Sequence, residues 1–330
     1  MKQVPMCLIL SLLIFVPLVV SDAQADPSRC ETLGAWSEPV NLGPPINTEA
    51  FEGSATLSPN GLSLYFTSNR PGSLLGVNDL WVSQRECADC SWEEPVNLTM
   101  LNSAAADAGP SLSTDGRLLF FHSGRPGGFG GLDIWMSSRS DPTDDFGWEA
   151  PVNLGPDVNT ADGELMPEYV HHADFYLERE GHIPANSAAL YFGRGTGQNP
   201  GNNQDIYTVP MTRDGQTLGS AVRVEVLRSD ANDAAPSVST NQQEIYFWSG
   251  RSDPTGDIYV ATRQNAHQPW SAPENLGPPI NTSSAEQQPQ LSHGGRTLLF
   301  ASNRPGSVVN PVTGLPSGDL WMSTRTPGCR

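Results

Sequence analysis

The stretch that decides the fold is LSPNGLSLYFTSNRPGSLLGVNDLW, residues 57–81, because the sequence contains five copies of this pattern. Each copy reads as a turn, a short apolar strand, an arginine, a Gly/Pro-rich loop and a second strand that opens with Asp-Leu/Ile-Trp/Tyr. A repeat of this length cannot bury its own apolar face, so neighbouring copies must pack on one another. The copies begin at Leu57, Leu112, Tyr169, Val238 and Leu291.

A tryptophan-led segment alternates with these copies and predicts one more strand per unit. It occurs at Trp36, Trp92, Trp148 and Trp270, and the first two spacings are both 56 residues. The copy expected after the third unit lacks its tryptophan, and we place it at residues 218–227, where apolar residues alternate. Four short strands per unit, separated by Gly/Pro/Asn turns, are typical of a β-propeller blade. Because five copies imply five blades, we predict an all-β, five-bladed β-propeller.

The first 25 residues are typical of a secretory signal peptide. Lys2 precedes an apolar run from Cys7 to Val20, and Ala23-Gln24-Ala25 fits a small-x-small cleavage site. The apolar run is shorter than the ~20 residues that a membrane anchor needs. We therefore predict a signal peptide at 1–25, a single propeller domain at 26–330, and a periplasmic or secreted monomer without a membrane-inserted segment.

The order of the segments predicts how the ring closes. The tryptophan-led segment precedes the first full repeat and is missing after the last, so we expect Trp36–Leu42 to supply the outer strand of the fifth blade. Cys30 and Cys329 lie at the two ends of the mature chain, and we expect a disulfide between them to lock the closure. Cys87 and Cys90 form a C-x-x-C in a polar turn, where we favour a local disulfide over redox or zinc chemistry.

The net charge of the chain indicates which classes of binding partner are disfavoured. The chain carries 18 Lys and Arg against 36 Asp and Glu, a net charge of −18, and Lys2 is its single lysine. This acidity disfavours nucleic acid and anionic membrane surfaces as partners. The sequence predicts no cofactor and no metal site, with calcium as the alternative for its acidic positions.

The repeat resembles the WD40-like repeats of the TolB-like family of exported bacterial propellers. The LSTDG turn at 112–116, the SNRPG loop at 68–72 and the DIW strand at 133–135 carry the resemblance, which covers nearly all of residues 36–325. Such propellers mostly serve as binding platforms. The resemblance implies a non-catalytic protein that binds a peptide, protein or glycan at its central channel mouth. The alternatives are an extracellular carbohydrate-active hydrolase on this fold and a scaffold that docks other envelope proteins.

The position five residues before the start of each copy is always acidic. The innermost strand of a blade begins there, beside the channel, on the face that also carries the loop opened by the blade arginine. We therefore predict a ring of five carboxylates and five guanidiniums around the channel mouth. The charges either pair and tie the structure together or stay partly free for a charged ligand. The acids are Glu52, Asp107, Glu164, Asp233 and Glu286, and the arginines are Arg70, Arg125, Arg194, Arg251 and Arg304.

The third blade departs from this pattern, because one residue separates Phe192 from Arg194 where the other copies have three. We expect the short link to draw Arg194 away and to leave Glu164 unpaired and available to a cation or ligand. Beside the other arginines, His122 and Trp248 replace small residues, and Trp248 is a candidate for stacking on a sugar or peptide ring. Glycoside hydrolysis needs two carboxylates with distinct surroundings, and no such pair stands out.

A polar insertion at residues 171–188 also interrupts the third blade, between its first two strands. Strand alternation predicts that it lies on the face opposite the arginines, together with both cysteine pairs. We interpret its His171, His172 and His182 as incidental rather than as metal ligands.

Overall fold

The strands of this protein occupy the positions that its repeats predict. The computed structural model describes residues 32–171, 187–195 and 203–328. Within these ranges there are 22 β-strands and two single-turn 3-10 helices, Leu74–Gly76 and Glu225–Leu227. In chain order the strands are β1 Thr32–Leu33, β2 Val40–Asn41, β3 Glu52–Leu57, β4 Ser63–Ser68, β5 Asp79–Gln84, β6 Val96–Asn97, β7 Asp107–Leu112, β8 Leu118–Ser123, β9 Asp133–Ser138, β10 Val152–Asn153, β11 Gly163–His171, β12 Ser187–Gly195, β13 Gln204–Thr212, β14 Val222–Arg223, β15 Asp233–Val238, β16 Glu244–Ser249, β17 Asp257–Thr262, β18 Glu274–Asn275, β19 Glu286–Leu291, β20 Thr297–Ser302, β21 Asp319–Thr324 and β22 Pro327–Gly328.

Five antiparallel sheets of four strands form the blades of a β-propeller, as predicted. Blades one to four are β3–β6, β7–β10, β11–β14 and β15–β18, each in sequential order. The first strand of each blade is innermost, and these strands contact one another in turn around the axis, with β19 returning to β3. The fourth strand of blade three, β14, lies inside the segment that the sequence assigned to it without a tryptophan.

The N-terminal strand closes the ring. Blade five has the strand order β19-β20-β21-β2, so its outer strand comes from the start of the chain. Val40 pairs with Met322 and Asn41 with Trp321. Beyond this sheet, β1 pairs with β22 and brings Thr32 opposite Gly328. The predicted Cys30–Cys329 disulfide and the predicted signal peptide lie outside the described residues.

The hydrophobic core lies between blades rather than within them. Five clusters of buried side chains each join two neighbouring blades, because one sheet presents an apolar face to each neighbour. Leu42 packs against the cluster between blades five and one, and Trp36 packs against the cluster between blades four and five. The closing segment therefore contributes apolar contacts as well as backbone hydrogen bonds.

Polar ties between blades accompany these clusters at two junctions. Arg139 of blade two donates to the Tyr65 hydroxyl of blade one at 3.0 Å and pairs with Asp145 at 2.9 Å. At the junction of blades five and four, Arg325 donates to the Tyr246 hydroxyl at 3.0 Å and pairs with Glu244 at 2.5 Å. Both junctions thus have an arginine that binds a tyrosine hydroxyl and an acid, although Asp145 lies in a loop and Glu244 in a strand.

Strand direction divides the connections between two faces. The blade arginines and the acidic starts of the innermost strands share one face, which we call the arginine face. The connection that holds Cys87 and Cys90 follows the third strand of blade one and lies on the opposite face, the turn face. Strand β11 ends at His171 and β12 begins at Ser187 on that turn face; most of the predicted insertion, residues 172–186, lies outside the described residues. Among the described residues, no helix is long and apolar enough to cross a bilayer.

The Cys87–Cys90 disulfide, predicted from the sequence, is present. Its turn has a counterpart of the same length in blade four that contains no cysteine. Cys90 N–H donates to the Cys87 carbonyl at 3.0 Å, and Gln268 N–H donates to the Asn265 carbonyl at the same distance. The turn geometry therefore does not require the disulfide.

We predict that the double substitution Cys87→Ser/Cys90→Ser lowers the free energy of unfolding by no more than about 2 kcal/mol, since the closed loop is very short. Chemical denaturation of the double variant and the wild type measures this difference directly. Substitution is preferable to a reducing agent, which would act on other cysteines as well. A loss above about 4 kcal/mol would show that the disulfide, not the local sequence, holds this turn.

Candidate functional site

The five predicted acids lie at equivalent positions and are fully buried. Each is the first residue of an innermost strand or, in blade three, the second, and each is 0% exposed. A hydroxyl residue four positions earlier binds each carboxylate through its side chain and its backbone N–H; for Glu52, Thr48 donates at 2.7 and 2.8 Å. The five hydroxyl residues are Thr48, Ser103, Thr160, Ser229 and Thr282. The carboxylates therefore point into the protein rather than into the channel mouth.

Each acid pairs with the arginine of its own blade. The N–O distances lie between 2.6 and 3.2 Å, and the pairs are Glu52–Arg70, Asp107–Arg125, Glu164–Arg194, Asp233–Arg251 and Glu286–Arg304. Burial raises the pKa of the Glu52 and Glu164 carboxyls, and hydrogen bonds from the preceding threonine together with the charge of the arginine oppose the rise. The ten charged groups form five closed pairs, and a binding role for them stays a prediction.

Aromatic rings enclose each guanidinium. Its central carbon lies 4.3–5.5 Å from the centroids of two rings, a phenylalanine on the second strand of the blade and a tryptophan or tyrosine on the third. For Arg70 these rings are Phe66 and Trp81. The guanidinium also donates to a backbone carbonyl of the loop that leads into the blade, which for Arg125 is that of Leu101 at 2.5 Å. Cation–π contacts and charged hydrogen bonds thus hold each arginine in place.

The prediction that Glu164 is unpaired is wrong. Strand β12 continues to Gly195, and Arg194 lies inside it, directly opposite Glu164 in the register with β11. In the other blades the arginine follows the end of its strand by two residues. The longer strand therefore compensates for the two missing residues, and Arg194 Nε reaches Glu164 at 2.8 Å.

The innermost strands surround a small cavity on the propeller axis. Two residues after each acid the innermost strand has a residue with positive φ, and in four blades a proline follows it. These residues surround an axial cavity of about 20 Å³, room for about one water molecule. The positive-φ residues are Ser54, Gly109, Met166, Ala235 and Gln288, and the prolines are Pro110, Pro167, Pro236 and Pro289.

One residue of the channel wall breaks the repeat, and the sequence analysis missed it. Four residues after each acid the blades carry, in order, Thr56, Ser111, Glu168, Ser237 and Gln290. Glu168 is the single carboxylate of this level and is 5% exposed. It accepts hydrogen bonds from Ser111 Oγ at 3.1 Å, Ser237 Oγ at 3.3 Å, Val238 N at 3.2 Å and Gln290 Nε2 at 2.8 Å.

Glu168 has no arginine partner among the described residues. Burial raises the pKa of its carboxyl to about 7, against the opposing effect of the four hydrogen bonds. The sequence does contain a signal for Glu168. At the position four residues after each acid, the other four copies have Thr, Ser or Gln, and the third copy alone has an acid.

His122 and Trp248 lie beside the arginine strands but are largely enclosed. His122 is 4% exposed, accepts a hydrogen bond from Met166 N at 3.3 Å through Nδ1, and has a pKa lowered to about 4 by burial. Trp248 is half-buried and lies so close to Gly256 that a Cβ there would clash with its indole. Its role in stacking on a ligand stays a prediction. Among the described residues, no group of three or more His, Cys, Asp or Glu side chains is placed to hold a metal ion.

The loops of the arginine face expose large apolar side chains that the predicted site did not include. Leu75 is 81% exposed, Phe129 49%, Val312 92% and Leu315 66%. The blade-five loop that carries Val312 and Leu315 is anchored at both ends to the loop leading into blade one. Asn310 Nδ2 donates to the Glu49 carbonyl at 2.9 Å, and Ser317 Oγ donates to the Thr48 carbonyl at 3.2 Å.

Comparison with known proteins supports the fold and leaves the activity open. No family model and no curated protein matches the chain. Among solved structures, the catalytic domain of the GH62 α-L-arabinofuranosidase of Coprinopsis cinerea is similar at 14% identity, with 88% of this chain and 97% of that chain covered and a TM-score of 0.57. A thermostable family-43 glycoside hydrolase is similar at 14% identity, covering 86% and 91%, with a TM-score of 0.53. TolB from Acinetobacter baumannii shares 15% identity over 83% of this chain and 54% of its own, with a TM-score of 0.45.

We predict that Glu164→Gln and Asp107→Asn each lower the free energy of unfolding by about 3–5 kcal/mol, because each leaves a buried guanidinium without its counter-charge. Urea denaturation of the two variants tests this expectation. Adding Arg194→Met to Glu164→Gln removes the unpaired charge and should restore part of the loss. An intact stability of Glu164→Gln, combined with altered calcium binding, would instead support the original expectation of a free carboxylate.

Proposed function

We propose that this protein is an exported, non-catalytic propeller that binds a peptide, protein or glycan on its arginine face. The observation that carries the proposal is the exposure of large apolar side chains in the loops of this face, where Val312 is 92% and Leu315 66% exposed. The five acids are buried and paired with the five arginines, so these charges serve the fold. Export rests on the signal-like segment at 1–25.

The paired acids also argue against hydrolysis on this face. A glycosidase needs two carboxyl groups that both reach the substrate, roughly 5–10 Å apart. The carboxylates of the ring are 0% exposed and bound on both sides by hydroxyl and guanidinium donors. None of them is placed to give a proton to a leaving group or to attack a sugar.

The exposed apolar loops favour a binding role for the same face. Val312 and Leu315 lie three residues apart in one loop and are both exposed, and a group of exposed apolar side chains can mark an interaction site. Val312 and Leu315 stand at the tip of a loop whose two ends are fixed by hydrogen bonds to Glu49 and Thr48, so binding there requires little ordering of the chain. The net charge of −18 disfavours nucleic acid as the ligand.

A carbohydrate-active hydrolase is the second candidate. The structural similarity to a GH62 α-L-arabinofuranosidase motivates it at the level of the fold, and Glu168 has the raised pKa that a general acid needs. However, Glu168 is buried, and no second carboxylate occupies the equivalent position in another blade. A scaffold that docks other proteins is the third.

We predict that Val312→Ser/Leu315→Ser weakens ligand binding at least tenfold and changes the free energy of unfolding by less than about 0.5 kcal/mol, because both side chains are exposed. The measurement is a glycan and peptide array on the purified protein, followed by titration of each hit against wild type and variant. A matched control is Val152→Ser on the outer rim, where the valine is 61% exposed and lies in the edge strand β10.

The outcomes separate the candidates. Binding without turnover that depends on Val312 and Leu315 supports the binding module. Release of sugar from a bound glycan supports the hydrolase instead. An array with no hit on either ligand class contradicts the binding module and favours the scaffold.

A further inference from the structure

We infer that Glu168 is a pH-sensitive clasp on the propeller axis: its carboxyl group joins four blades, and its ionisation in a buried site without a cation weakens that join. The inference is independent of what the arginine face binds. It starts from the position of Glu168 on the innermost strand of blade three, at the one level of the channel where the five blades differ in chemistry.

The hydrogen bonds of Glu168 reach three other blades. Ser111 lies on β7 of blade two, Ser237 and Val238 lie on β15 of blade four, and Gln290 lies on β19 of blade five. Thr56 of blade one lines the same small cavity. A single carboxyl group on blade three therefore contacts the innermost strands of blades two, four and five.

The two serines extend the network into the backbone. Ser111 Oγ accepts from Tyr169 N at 3.1 Å, and Ser237 Oγ accepts from Leu291 N at 2.9 Å. A hydroxyl can donate or accept, so each serine is able to exchange roles with Glu168 when the carboxyl gains a proton. Val238 N–H and Gln290 Nε2 can only donate, so they favour the ionised carboxyl, whereas burial without a cation disfavours it.

No nearby cation compensates an ionised Glu168 among the described residues. Each neighbouring innermost strand begins with an acid, four residues before the level of Glu168. That acid is already paired with the arginine of its own blade. Two further titratable groups line the cavity: Tyr169, whose hydroxyl donates to the Thr212 carbonyl at 2.9 Å, and His293, whose pKa is lowered by burial and by nearby His171. His171, whose pKa burial also lowers, faces Asp115. Burial therefore disfavours the charged form of both histidines.

The direction of the effect follows from where the proton is held. The pKa of Glu168 is about 7 in the folded protein and 4.5 as the ordinary value expected in the unfolded chain. Below pH 4.5 both states are protonated and the contribution to stability is fully present. Between pH 4.5 and 7 the unfolded chain loses the proton first, so the folding equilibrium constant falls about tenfold per pH unit, roughly 300-fold in all. Above pH 7 the loss is complete.

The test compares the wild type with Glu168→Gln, which keeps the shape of the side chain and removes its titration. We expect the folding constant of the wild type to fall by roughly two orders of magnitude more between pH 5 and 8 than that of the variant. Glu149→Gln, at an exposed position, is the matched control and should follow the wild-type profile. Parallel profiles for wild type and Glu168→Gln would overturn the inference.

A second measurement applies to the wild type alone and holds even if Glu168→Gln does not fold. The 13C shift of the Glu168 carboxyl carbon, followed by NMR, should titrate near pH 7. Amide exchange at Val238, Tyr169 and Leu291, corrected for base catalysis, should quicken above that pH, while exchange at the outer strand residue Val152 should not. A carboxyl midpoint below pH 5, or uniform exchange rates, would refute the clasp.

Discussion

The buried acid–arginine pair is the interaction on which the rest of the structure depends. In each blade it joins the start of the innermost strand, the loop that leads into the blade, and the aromatic residues of the second and third strands. Its acid is 0% exposed, so the pair is possible only because hydroxyl, amide and guanidinium donors all converge on one carboxylate. Paired in this way, the charges tie the innermost strand of each blade to the loop that leads into it. Removal of one partner would leave a buried, unpaired charge and would strongly destabilise the fold.

Repetition explains why so much of the fold could be predicted from the sequence. Five copies of one pattern gave the number of blades, the offset of the tryptophan-led segment gave the closure by β2, and the count back to Glu52 and its equivalents gave the charge pairs. What the pattern does not contain is the direction of a side chain. The acids were expected around the channel mouth, whereas they are fully buried, and the bulge that follows each acid brings the prolines of four blades to the axial cavity.

The remaining differences arise where three-dimensional context replaces sequence position. Arg194 reaches its acid because β12 is longer than its counterparts, which a count of residues between Phe192 and Arg194 cannot show. Asp145 and Glu244 occupy the same role beside Tyr65 and Tyr246, although they come from a loop and a strand. Such replacements occur because a tie between blades needs a carboxylate at a point in space, whichever segment supplies it.

Closure of the last blade by β2 has a consequence for the order in which the protein can fold. Asn41 donates through Nδ2 to Asp319 at 2.7 Å, across a sequence separation of 278 residues. A ribosome that adds about 5–20 residues per second needs roughly 15 to 55 seconds to produce the second of these residues after the first. During that interval the earliest strand has no partner and blade one has no neighbour on its other side. The complete ring, and with it the shared cores at both ends of the chain, can form only once the whole chain has been made.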